Sequence, residues 1–147
     1  MLSLVKCDLG EVKIENIKVL MRKKESIRYF ENALETLSKS PVEEDRYADI
    51  KYVQEACGTA YLAILKAVDE YLLKKGISKK ELPQSVDDYR VMLRKYLTTR
   101  NGKLLRDFEA LYKELHISGY YRGNLEHVEI VKAAFKIAKS FINKIEQ

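Results

Sequence analysis

The chain has two histidines, and the second, His127, stands five positions after Arg122 in the run Arg122-Gly123-Asn124-Leu125-Glu126-His127. An imidazole titrates near neutrality and can take up or release a proton. A guanidinium presents a planar fork of donors that fits a phosphate. Together these types can cleave RNA without a metal: a base removes the 2′-hydroxyl proton while a cation stabilises the charge gathering on the phosphorane. Tyr120 and Tyr121 precede the arginine and offer ring faces to unpaired bases, and Asn124 adds an amide. The same spacing also has a structural reading, in which Arg122 pairs with Glu126 four residues on and His127 shares a helix face with Val131 and Ala134. His116, placed near the end of a helix, is expected to cap it or to meet its dipole.

Other chemistry is poorly represented. There is no GxxxxGK[ST], strand-linked GxGxxG, HExxH, GxSxG or EF-hand loop. The carboxylate clusters Glu43-Glu44-Asp45 and Asp87-Asp88 fall near expected helix starts, where acidic side chains meet the macrodipole favourably. Neither histidine follows a Glu by three residues, as a di-iron bundle requires, so neither a metal nor another cofactor is expected. Cys7 and Cys57 lack metal-ligand spacing and read as reduced thiols of a cytoplasmic protein. Charges at Lys6, Asp8, Glu11, Lys13, Glu15 and Lys18 interrupt the first twenty residues, which argues against export or membrane insertion.

The formal net charge is +5, and its whole excess lies between Ile77 and Arg106. That stretch holds Lys79, Lys80, Arg90, Arg94, Lys95, Arg100, Lys103 and Arg106 against Glu81, Asp87 and Asp88. Such a patch could guide RNA, or its counter-charges could sit on neighbouring helices.

The elements that would hold these residues are helical throughout. Ile27, Phe30, Leu34 and Leu37 mark one helix within residues 25 to 40, ended by Pro41. A broad apolar stripe from Ile50 to Leu72 predicts a long central helix from about Asp45 to Lys75, stopped by Gly76. Within it Gly58 and Ala60 are small where most neighbours are large, which suits close packing. Ser85 and Asp88 resemble a capping box opening a third helix that buries Tyr89, Met92, Leu93, Tyr96 and Leu97. Asn101-Gly102 separates it from a fourth, and Ile117 to Gly123 reads as a loop. Asn124 is expected to cap the last helix. Residues 1 to 20 fit neither helix nor strand period and are expected to be peripheral, leaving residues 21 to 147 as one all-α bundle of about five helices.

Arg122 and His127, at the start of a late helix, resemble the R-x4-6-H motif of the HEPN superfamily of small helical bundles, although Gly123 stands where that family commonly has a polar residue. Ala60 to Ala67 and the following EYLLKKG resemble that superfamily's long helix. From about Met21 onward the chain also resembles an uncharacterised bacterial family of this shape. The resemblance implies a metal-independent endoribonuclease completed across a homodimer. Arg122 and His127 would be catalytic, Tyr120, Tyr121 and Asn124 would support the site, and Arg90, Arg94, Arg100 and Lys103 would guide RNA. The alternative is a non-catalytic adaptor acting through oligomerisation or a partner protein, with no role at a membrane.

Overall fold

Glu25–Leu37 form helix α1, with Ser26, Phe30, Ala33 and Leu37 turned into the core. Leu34, expected inside, is exposed, because the buried face runs through Ala33 instead. The computed structural model describes residues 24–97 and 102–146. The expectations for residues 1 to 20, the boundary at Met21, Arg100 and Asn101 therefore lie outside the described residues.

The long central helix begins at the first residue of its stripe, later than the expected start near Asp45. Helix α2 runs Ile50–Lys74, and its N-cap is Asp49, whose carboxylate accepts the Lys51 N–H at 3.2 Å. The residues before it form a minimal hairpin, β1 (Val42–Glu43) and β2 (Arg46–Tyr47). Glu44 and Asp45 both take positive φ, 49° and 65°, as a two-residue hairpin turn of primed type demands. Glu43, Glu44 and Asp45 thus build a turn rather than cap a helix.

Helix α2 is the axis of the bundle. Ala56, Ala60, Ala63 and Ala67 are buried along it beside Val53, Ile64, Val68 and Leu72, so neighbouring helices approach its backbone closely. Gly76, at φ 97°, stops it, as a left-handed C-terminal residue does. A short 3-10 turn, Lys79–Glu81, is closed by Ser78 and Glu81.

Helix α3 (Val86–Tyr96) opens on the Ser85 hydroxyl, which accepts the Asp88 N–H at 3.1 Å. The Asp88 carboxylate in turn accepts the Gln84 N–H at 3.3 Å, one residue outside the usual capping box. Helix α4 (Lys103–Leu111) follows, and the last helix, α5 (Val128–Glu146), buries Val131, Phe135, Ala138, Phe141 and Ile142. The five α-helices of the described residues make one all-α bundle, its core running through Phe108, Phe141, Ile64 and Leu72.

The segment expected to be a loop is helical. Helix α4 passes directly into a π-helix, Tyr112–Tyr121, a form seldom longer than one turn and frequent at functional sites. Two glycines seat it against α2. A Cβ on Gly119 would lie 2.6 Å from the Cys57 Sγ, and one on Gly58 would lie 2.5 Å from the Tyr120 ring. The close approach anticipated at Gly58 is therefore reciprocal, each glycine receiving the neighbour of the other.

Candidate functional site

The π-helix ends where the Arg122 N–H donates to the Ile117 carbonyl at 2.8 Å and the Asn124 N–H to that of Ser118 at 3.0 Å. Gly123 takes φ 62° between them. Asn124 thus closes the preceding helix through its backbone instead of capping α5. The chain then pairs edgewise with the hairpin. The Tyr47 N–H donates to the Glu126 carbonyl at 2.8 Å and the Val128 N–H to that of Asp45 at 2.9 Å, with Arg46 opposite His127.

Arg122 and His127 therefore stand at the two ends of a pinned turn, both exposed, and neither side chain has a polar partner among the described residues. The expected Arg122–Glu126 pair does not form, because Glu126 is salt-bridged to Arg46. His127 precedes α5, so it does not share that helix's buried face with Val131. The same hairpin places the exposed carboxylates of Glu43, Glu44 and Asp45 beside this turn.

Of the residues expected to guide RNA, Arg90 and Arg94 lie on α3 and Lys103 opens α4. The Arg90 guanidinium donates to Glu109 at 2.5 and 2.9 Å and to Asp87 at 2.7 Å, and lies over the Tyr112 ring at 5.2 Å. These bonds hold the Glu109 carboxyl below its ordinary value, with the Arg90 hydrogen bond the main cause. Lys103 reaches Asp107 at 3.0 Å, and Arg94 is exposed on α3. Counter-charges on the same helices and, at Glu109, on the neighbouring one thus answer part of the basic stretch.

A second site lies where the sequence pointed only weakly. His116 sits inside the π-helix rather than at a helix end. Its ring stacks on Tyr61 at 4.8 Å, Tyr112 at 5.6 Å and Tyr120 at 5.9 Å, because residues four apart on the π-helix fall in one row. Tyr61 in turn meets Phe108 at 6.4 Å. His116 and Tyr120 of the π-helix line an open cleft of about 550 Å³ together with Glu55, Gly58, Thr59, Tyr61, Leu62 and Leu65 of α2 and with Thr36 of α1, a volume within the range of ligand sites. Leu62 (47%) and Tyr120 (49%) remain exposed there. Tyr121, at 71%, stands just outside and lines an adjoining recess with Lys51 and Gln54. The Gln54 amide donates to the Tyr120 carbonyl at 3.0 Å, which ties the cleft to the turn.

Cys57, beneath Gly119, is fully buried. Burial, helped by the Glu114 charge, pushes its thiol up to about 12, so it remains protonated and unreactive. Burial likewise raises Tyr61 and keeps its phenol neutral. Among the described residues no three His, Cys, Asp or Glu side chains gather as a metal-ligand set, and no helix is long and apolar enough to cross a membrane.

The fold and the cleft define a small all-α bundle with a recessed aromatic surface between its central helix and a π-helix. The chain belongs to the family described as a domain of unknown function, DUF5618, whose pattern matches residues 21–147. A solved structure described as a protein of unknown function from Dyadobacter fermentans is similar over 83% of this chain and 91% of that one, at 33% identity and a TM-score of 0.70. No curated protein matches.

Proposed function

We propose that the chain is a non-catalytic binding module, a helical adaptor of HEPN-like type that receives a protein partner in the cleft between α2 and the π-helix. The observation that carries this reading is the cleft itself, where Leu62, Leu65, His116 and Tyr120 present apolar and aromatic surface in a recess. Exposed apolar surface gathered in a recess marks binding sites more often than isolated exposed residues do. The turn bearing Arg122 and His127 adjoins the Glu43, Glu44 and Asp45 carboxylates, which repel a phosphate backbone.

One observation favours a second reading. Arg122 and His127 are both exposed and unpartnered at the ends of one pinned turn, as a metal-independent ribonuclease completed by a second copy would use them. Tyr120, Tyr121 and Asn124 would then contact RNA, with Arg94, Arg100 and Lys103 guiding it and Arg90 committed to its carboxylates. Single-stranded RNA incubated with the chain in excess chelator separates the two. The adaptor reading expects no cleavage that depends on either residue, and partner binding that weakens in Leu62→Glu but not in Arg122→Ala. Chelator-resistant cleavage lost in Arg122→Ala or His127→Ala would overturn it.

A further inference from the structure

The cleft does not stand alone. It shares Glu55 and Tyr120 with the recess lined by Lys51, Gln54 and Tyr121, and Tyr61, Leu65 and His116 with a third recess reaching Pro83, Ser85 and Tyr89. The α2 wall from Lys51 to Leu65 spans roughly 21 Å at about 1.5 Å per residue. That length suits a peptide segment better than a compact metabolite.

Charge then narrows what the segment carries. Glu55 is exposed on the cleft wall with no hydrogen bond or ion pair among the described residues. Beside it Tyr120 offers an electron-rich ring, and such faces attract cations. The nearest cation on the same wall, Lys51, has its ammonium over the Tyr52 ring at 5.4 Å. Leu62 and Leu65 continue the wall past Glu55 as apolar surface, the kind that covers the aliphatic stem of a long basic side chain.

We propose that the cleft selects a basic side chain, lysine or arginine, presented by a protein partner, its stem against Leu62 and Leu65 and its charge between Glu55 and Tyr120. On a chain of net charge +5, this is a local reversal of sign. It also accounts for an exposed carboxylate left unpaired in a mostly apolar recess. The inference rests on the cleft being the working surface of the adaptor.

The test uses side-chain mimics on the full chain, followed by backbone amide shifts. n-Butylammonium and n-propylguanidinium should perturb Gly58, Thr59, Leu62 and Tyr120, and should bind about threefold to tenfold more tightly than n-butanol, the span expected of a cation paired with a carboxylate and reinforced by an aromatic face. Glu55→Gln, at an exposed position where folding is not at stake, should remove most of that preference. Equal binding of the charged and neutral probes, or an unchanged preference in Glu55→Gln, overturns the charge selection while leaving a binding cleft. Shifts confined to other surfaces, or none from any probe, overturn it too. Failure of the adaptor itself reads differently: the mimics still bind with preference, yet no partner association responds to Leu62→Glu.

Discussion

The turn from Arg122 to His127 and the cleft between α2 and the π-helix are joined by one side chain, Gln54, but they are built on opposite plans. The turn displays its chemistry outward. Backbone bonds to the hairpin hold it, Leu125 anchors it in the core, and the exposed side chains of Arg122 and His127 could change without disturbing that core. The cleft draws its shape from packing: Gly58 and Gly119 let two helices meet, and the stack of Tyr61, His116 and Tyr120 stands on Phe108. Reactive residue types collect in the first region and concavity in the second. Chemistry legible in residue types and a surface shaped to receive a ligand need not coincide.

The largest contrast should appear in stability. Phe108→Ala removes a fully buried ring under Tyr61 and should cost about 3–5 kcal/mol, whereas Arg122→Ala should change denaturant unfolding by no more than about 0.5 kcal/mol. A cost above about 1 kcal/mol for Arg122→Ala would make the turn structural and erase the distinction. The glycines give a finer version. Gly119→Ala drives a Cβ to 2.6 Å from the buried Cys57 Sγ and 2.7 Å from its Cβ and should cost about 1–3 kcal/mol by overpacking, with Cys57→Ala in the same chain recovering only the sulfur's share. Gly123→Ala faces a left-handed φ and the movable end of Gln54, so about 1 kcal/mol is expected. Equal effects at the two glycines, with no recovery through Cys57, would show that the crossing is looser than drawn.

Much of the bundle could be read from apolar periodicity alone, because burial sets it one element at a time. The stripe from Ile50 to Leu72, the Ser85–Asp88 start and the stop at Gly76 are local signals, and they mark helices that form. What could not be read is tertiary. Glu43-Glu44-Asp45 looks acidic and helix-opening until the chain must turn back, and then two positive φ values claim it. Ile117 to Tyr121 carries Ser118 and Gly119, ordinary loop residues, yet Gly119 is needed because Cys57 leaves no room for a side chain. The signal for the cleft was present in part: Tyr112, His116 and Tyr120 recur every four residues, and Gly58 interrupts a stripe of larger residues. Read together, they mark an aromatic row facing a gap.

The smallest effect probes whether the basic stretch is available to a ligand at all. Arg90 holds the Glu109 carboxyl below its ordinary value, so the pair contributes stability above the unfolded carboxyl value, near about 4.3, and loses it as pH falls through the depressed folded value. Both groups are partly solvent-exposed, so the contribution should stay under about 1 kcal/mol. Denaturant midpoints of the native chain and Glu109→Gln should differ most near pH 7 and converge below about pH 4. A difference independent of pH would mean that the carboxylate charge does not hold Arg90. The guanidinium, then held by Asp87 alone, would be more open to phosphate, and the balance between turn and cleft would move back toward RNA.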